Sequence, residues 1–360
     1  MTVSKTLQFS YIKRTLDFRF EAGTSRGVLT TRDVFWTQVF DPQQPEVIGW
    51  GEAAPLVKLS PDHRDDFEEI LNRTLDSLNR LSFVLEEEAI LERMKLLIPF
   101  ELPSIRFGLE TALLDLALGG RRRFFPNNFY DTQEGIAING LIWMGDRNFM
   151  LEQIDQKLQD GFDCIKMKIG AIDFEQEIEL LEYIRSSFSQ EQVVLRVDAN
   201  GAFSPEDALK KLERLAALDI HSIEQPIRAG QWKAMKELCV KTPLPIALDE
   251  ELIGVEEKAK MLDTIRPQHI ILKPTLLGGI VETKEWVRLA EERNIGWWMT
   301  SALESNIGLN AISQLASALK AAIPQGLGTG KLYHNNLESP LEVRNGSIFY
   351  NSAEGWEDPA

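Results

Sequence analysis

The sequence predicts an α/β protein in which a (β/α) barrel follows a smaller α+β region, and three observations carry that prediction. From about residue 134, short apolar segments alternate with amphipathic helical ones, eight strands and seven intervening helices over about 190 residues, the length and rhythm of a (β/α) barrel. The first hundred or so residues carry period-two alternation followed by helical periodicity. Five consecutive barrel strands each end in an ionisable side chain. A doubly wound open sheet is the alternative that the same rhythm allows.

The chain has 360 residues, enough for roughly two domains and a sizeable core. Hydrophobic residues make up 44% and charged residues 26%, which excludes intrinsic disorder, collagen and a membrane bundle. Against 55 Asp+Glu stand 39 Lys+Arg, a formal charge of −16, so a polyanion is repelled and nucleic acid is not expected as a partner. The opening MTVSKTLQFSYIKR lacks the apolar stretch of a signal peptide, and no later apolar run approaches the roughly 20 residues that span a bilayer. The expectation is a cytoplasmic protein with no membrane partner. Cys164 and Cys239 lie far apart in apolar runs without CxxC spacing, which suggests buried free thiols rather than a disulfide or a zinc site.

Taken in order, residues 6–21, 27–39 and 48–53 have the alternation and the β-branched and aromatic content of a three-stranded meander. Residues 62–95 are charged with apolar positions at helical spacing, and 104–118 follows Pro103 and stops at Gly119-Gly120. The stretch 121–129 reads as a connector. Barrel strands are expected at 136–143, 164–169, 193–199, 220–225, 245–249, 269–273, 296–300 and, weakly, 325–330. Helices fall between them at about 147–160, 174–188, 205–217, 231–241, 255–264, 280–293 and 304–321. The boundary that results is an α+β region over 1–130, joined by the C-terminal segment 331–360, and a barrel over 131–330. An Asn345-Gly346 turn in that last segment lies outside the barrel rhythm.

Lys168, Asp198, Glu224, Asp249 and Lys273 end five successive strands, 24 to 30 residues apart. In a barrel those ends converge on the face where barrel enzymes place their active sites. Singly, each carboxylate is equally well read as the start of a surface loop. Three at matching register crowd negative charge that a divalent cation relieves, and oxygen-only ligation favours Mg²⁺ or Mn²⁺ over zinc. Period two sends Lys166 and Lys168 to one face. A neighbouring ammonium and partial desolvation both disfavour the charged form, so Lys168 is the candidate base and Lys166 the group that tunes it, unless the strand is an edge with a solvated lysine face. Lys273 lies almost across the barrel from Lys168.

KMK at 166–168, RVDAN at 196–200, EQP at 224–226, LDE at 248–250, KPTLLGG at 273–279 and TSALESNIG at 300–308 together resemble the enolase superfamily, muconate-lactonizing subgroup. GWGEAAPL at 49–56 and IRFGLETALLDLAL at 105–118 are similar to that superfamily's capping region, so the resemblance covers nearly the whole chain. It implies a (β/α)₇β modified TIM barrel under an α+β capping domain, with Mg²⁺ on Asp198, Glu224 and Asp249. Within the subgroup the motifs are most similar to the dehydratases of menaquinone biosynthesis. The activity implied is removal of water from 2-succinyl-6-hydroxy-2,4-cyclohexadiene-1-carboxylate, a small-molecule carboxylate. Lys168 would take the proton next to the metal-bound carboxylate and return it to the departing hydroxyl, and Lys273 would stabilise the enediolate. A Lys base working with Mg²⁺ is the general pattern of these sites.

Other positions are candidates for substrate contact. Asn200 shares a face with Asp198, or simply forms an Asx turn before Gly201. Ser301 matches the position that approaches the substrate carboxylate or succinyl group. Gly328, in a GLGTG run, offers backbone N–H groups, and Arg26 belongs to a loop able to close over the substrate. Arg196 is placed deeper on the Asp198 face, as a substrate-site group or an ion-pair partner of a carboxylate, and Glu304 as a charge favourable to a helix N-terminus. Rivals within the same fold are an N-acylamino acid racemase, a dipeptide epimerase and a muconate cycloisomerase. The Asp-x-Asp of dipeptide epimerases is replaced here by GLGTGKLYHNN. A non-catalytic barrel scaffold is the reading from another class, and a homo-oligomer is compatible with all of them.

Overall fold

The computed structural model describes residues 4–24 and 27–359. The first region opens with three antiparallel strands, β1 (Gln8–Thr24), β2 (Gly27–Asp41) and β3 (Gln44–Ala53), in the order β1-β2-β3. Their inward Phe9, Phe35 and Val39 meet Phe67, Leu71 and Leu75 of α1 (Phe67–Leu78) in one core. The helical pattern over 62–95 divides into α1 and α2 (Glu87–Leu97), with Ser82–Phe83 extended between them and paired with Lys5–Thr6. Helix α3 (Pro103–Ala117) is buried on nearly every side. It docks on β3 because Gly49 and Gly51 carry no side chain: a Cβ at either would stand 2.1 Å from the Ala112 carbonyl oxygen or 1.9 Å from that of Gly108.

Seven parallel strands follow in sequential order: β4 (Gly140–Ile142), β5 (Cys164–Lys168), β6 (Val194–Asp198), β7 (Ser222–Glu224), β8 (Ile246–Leu248), β9 (His269–Leu272) and β10 (Gly296–Met299). Each expected helix forms, as α4 (Arg147–Gln159), α5 (Phe174–Ser187), α6 (Pro205–Ala216), α7 (Trp232–Lys241), α8 (Lys258–Ile265), α9 (Gly279–Glu291) and α10 (Asn306–Ala318). The eighth strand, expected over 325–330, shrinks to two residues that close the cylinder. Gln325 exchanges backbone bonds with Ala137 (2.8 Å) and Asn139 (2.9 Å), and Gly326 with Met299 (2.8 Å) and Ser301 (3.0 Å). With so few residues in the eighth strand, the seam beside β4 is the thinnest part of the wall.

Residues beyond the barrel divide. The Arg19 N–H donates to the Leu332 carbonyl and that of His334 to the Asp17 carbonyl, both at 2.9 Å, so this stretch runs along β1. The hairpin β11 (Leu341–Arg344) and β12 (Ser347–Tyr350) turns at Asn345-Gly346, both with positive φ, and pairs with Ile136–Ala137 at the start of the barrel. Two buried acids of the first region plug barrel helices. Glu52 accepts from the Ser305 N–H (2.8 Å), the Ser305 hydroxyl and the Gly308 N–H (2.9 Å) at the start of α10. Glu110 accepts from the Ile280 N–H in the first turn of α9, and burial pushes its carboxyl up to about 8. Both cysteines are free and buried. Among the described residues no helix is long and apolar enough to cross a membrane.

Candidate active site

Parallel pairing aligns Lys168 with Asp198 and Asp198 with Glu224, so three of the predicted charges share one row at the C-terminal strand ends. Asp249 follows β8 in a backbone held by its own N–H to Gln225 Oε1 (3.2 Å), and Lys273 follows β9. Lys168, Asp198, Glu224 and Asp249 are buried, Lys273 is partly buried, and all five interlock. Lys166 is paired with Glu224 and lies 3.1 Å from Asp198 Oδ2. Lys168 Nζ donates to Asp198 Oδ2 at 3.2 Å and to Asn200 Oδ1 at 2.9 Å. Lys273 is paired with Asp249 and stands 3.9 Å from Glu224 Oε1.

The electrostatics follow from that interleaving. Burial opposes ionisation of Asp198, but Lys166 and Lys168 outweigh it and hold the carboxyl well below the usual range. At Glu224 burial comes first and repulsion from Asp198 adds to it, raising the carboxyl; burial likewise raises Asp249. Burial works against the Lys166 ammonium, yet Asp198 and Glu224 prevail and hold it protonated above its ordinary range. This corrects the expectation that paired lysines would depress one another here: carboxylates, not the neighbouring ammonium, dominate the field at Lys166. Lys273 is raised in the same way, with Asp249 and Glu224 overcoming burial.

Lys166, Lys168, Asp198 and Lys273 open onto a chamber of about 560 Å³ between the strand ends and the first region, which contributes Phe20, Leu29 and Leu56. Ser301 and Gly328 line it as expected positions. The Ser301 hydroxyl donates to Glu304 Oε2 (2.6 Å) and accepts from the Thr329 hydroxyl (2.8 Å) and the Leu303 N–H (3.0 Å). Asn200, at φ +42, spends its amide on Lys168 and on Glu250 Oε1 (3.1 Å) and does not line the chamber; it holds Lys168. Arg26 lies outside the described residues. Two expectations are corrected. Arg196 makes no ion pair with the carboxylates but stacks 4.2 Å over Trp298 and donates to the Pro324 carbonyl (2.7 Å), below the site. Glu304, expected as a charge favourable to a helix N-terminus, is instead a fully buried acceptor for Ser301 and the Thr275 hydroxyl (2.5 Å).

Sequence reasoning passed over Glu250, which braces Asn200, and the chamber residues Lys58, Trp143, Lys157 and Lys331. Glu250 directly follows Asp249 and Lys331 comes three residues after Gly328, so adjacency to predicted positions was the available signal. Lys157 on α4 carried none, since a lysine on an amphipathic helix reads as solvated.

Residues 150–356 match the model of the family described as enolase C-terminal domain-like. The chain belongs to the enolase superfamily. It is 46% identical over 369 residues to the o-succinylbenzoate synthase of Desulfotalea psychrophila, covering 95% of this chain and 98% of that one. The crystal structure of MenC from the same organism superposes with a TM-score of 0.83 at 42% identity, over 96% of this chain and 100% of the other. The L-Ala-D/L-Glu epimerase of Bacillus subtilis is 24% identical over 323 residues (85% and 82% of the two chains), and its structure aligns at a TM-score of 0.83 and 20% identity, over 96% of each chain, a likeness of fold. The curled parallel sheet is thus the TIM-like barrel of the enolase superfamily.

Superfamily membership implies a divalent metal. The donor chemistry fits one: Asp198, Glu224 and Asp249 offer only carboxylate oxygens, and Glu224 Oε1 is buried with no hydrogen-bond partner. The three do not form a ready cage. Among the described residues no three Asp, Glu, His or Cys side chains gather on one point, and Lys166 and Lys273 supply the countercharge instead.

Proposed function

We propose that this chain is a Mg²⁺-dependent o-succinylbenzoate synthase, removing water from 2-succinyl-6-hydroxy-2,4-cyclohexadiene-1-carboxylate. The observation that carries the proposal is a chamber lined by both Lys168 and Lys273, ending β5 and following β9, beside Asp198. The relative at 46% identity, an o-succinylbenzoate synthase, supports the choice of substrate.

Asp198, Glu224 and Asp249 would hold the ion, with Mn²⁺ suited to the same oxygens. A bound Mg²⁺ would draw charge from the substrate's ring carboxylate and so acidify the adjacent C–H. Lys168, fixed by Asn200 Oδ1, removes that proton as general base. The C–H electron pair becomes the new ring double bond, the neighbouring C–O bond breaks, and Lys168 returns its proton to the leaving hydroxyl. Water departs from the same face of the ring that lost the proton, and the ring becomes aromatic. Lys273, held cationic by Asp249, opposes the negative charge that develops on the substrate between these steps. Lys166 stays protonated between Asp198 and Glu224 and sets the field around Lys168.

The same pair of lysines supports racemisation of N-acylamino acids as a second reading, since each can reach the ligand from its own strand. Proton exchange from solvent at the α-carbon of an N-acylamino acid, absent in Lys168→Ala and Lys273→Ala, tests it. A cytoplasmic location and no nucleic-acid partner accompany the proposal, and a homo-oligomer is compatible with it. Aromatic product formed by the purified protein with Mg²⁺, and lost with EDTA, tests the dehydration.

A further inference from the structure

A chain with a formal charge of −16 surrounds its chamber with lysines. Lys58, Lys157, Lys166, Lys168, Lys273 and Lys331 line it among the described residues, against the single carboxylate of Asp198. Three of the six are accounted for by the acids they pair with at the strand ends. Lys157 and Lys331 are different. Neither ammonium has an ion-pair or hydrogen-bond partner among the described residues, and the two repel one another. Burial pulls the Lys157 ammonium below its ordinary range, and the charge of Asp160 attracts it more strongly than that of Lys331 repels it.

Their placement is built rather than incidental. Gly140 of β4 faces α4, and a Cβ there would stand 3.0 Å from Lys157 Cδ, so the absent side chain lets the lysine stem lie along the strand. On the other side the ammonium sits 5.0 Å from the Phe162 ring centroid. Lys331 follows the two-residue eighth strand across the seam from β4, at the exposed mouth of the same chamber. The chamber reaches past the strand ends to this seam, lined there by Gly140, Phe162 and Gly328. Two lysines that line one seam, with no ion-paired acid among the described residues, are both drawn to an anion that arrives between them.

We propose that Lys157 and Lys331 form a second carboxylate-recognition point, which takes the distal carboxylate of a dicarboxylate ligand whose first carboxylate sits at the metal end. This rests on the dehydration proposed above only for the identity of that ligand, where the distal group is the succinyl carboxylate. Discrimination between a dicarboxylate and its monocarboxylate analogue is then set at the seam.

The test uses ligand pairs differing only in the distal carboxylate: o-succinylbenzoate against 2-butyrylbenzoate, and N-succinyl-L-phenylalanine against N-butyryl-L-phenylalanine. Each is titrated calorimetrically into the Mg²⁺-loaded protein. The wild type is expected to favour the dicarboxylate of at least one pair by about tenfold or more, the scale of a charge-assisted bond. In Lys157→Met/Lys331→Met, which keeps the stem against Gly140 and Phe162, that preference falls to about unity while binding of the monocarboxylates persists. Lys331→Arg retains the preference, which a merely structural role would not produce. A preference that survives the double substitution, or no preference in the wild type, overturns the proposal. Absence of turnover by a wild type that still prefers a dicarboxylate overturns the dehydration alone.

Discussion

Both ends of the barrel carry buried polar layers, and they solve the problem of buried charge in opposite ways. At the C-terminal end, Lys166, Lys168 and Lys273 alternate with Asp198, Glu224 and Asp249, every charge facing a countercharge from another strand beside the chamber. At the N-terminal end Arg196 forms no ion pair among the described residues. Arg196 spreads over Trp298, while His221 and His269 stack at 5.3 Å and 28° beneath it. None of these four lines the chamber. A π face and one carbonyl hold a fixed charge in place, whereas interleaved ion pairs can exchange partners when a metal and a carboxylate arrive. One layer is therefore suited to reaction and the other to holding the cylinder closed.

The comparison can be broken by substitutions at either end. The largest effect is expected for Lys168→Ala, a loss of about 10²–10⁴-fold or more in turnover without loss of folding, measured as product formation beside circular dichroism. A variant that unfolds instead would make the upper layer structural. Next is Asp198→Asn. Wild-type protein is expected to gain thermal stability with Mg²⁺ by mass action, about 2.7 kcal/mol at a hundredfold excess over Kd, and the variant to gain none. At the lower layer, Arg196→Met is expected to cost about 1–3 kcal/mol in denaturant unfolding while turnover changes by about twofold at most.

The smallest effect sharpens the contrast through pH. Burial, aided by Arg196, holds His221 and His269 down to about 4 in the folded chain, below the ordinary 6.5. A depressed folded value means the unfolded chain takes up protons first. Their contribution to stability is complete above pH 6.5 and is lost as the pH falls toward about 4. The acid-side drop in Tm over that window should shrink in His221→Gln/His269→Gln. An unchanged profile would place the loss in the carboxylates above.

The barrel rhythm was legible because apolar strands and amphipathic helices differ in period, and the upper layer because charge at a strand's C-terminal end is rare without a reason. Register then did the rest, bringing Lys168, Asp198 and Glu224 to one row. What stayed hidden depended on partners far along the chain. Arg196 looked like an ion-pair residue until Trp298, about a hundred positions later, offered its ring. Glu304 looked like a helix-terminal charge, but Thr275 and Ser301 bury it as an acceptor. The expected eighth strand gave way to two residues because Gln325 and Gly326 alone meet both edges of the sheet. Lys157 was invisible because its importance lies in Gly140, the side chain that is missing.

The central claim is that the upper layer performs metal-dependent dehydration. The most direct test is to supply purified protein with the cyclohexadiene carboxylate and Mg²⁺ and follow the aromatic product, with EDTA and Lys168→Ala in parallel. Rapid turnover abolished by both is the predicted result. A folded, Mg²⁺-binding protein that forms no product, or one whose rate is untouched by Lys168→Ala, would contradict it.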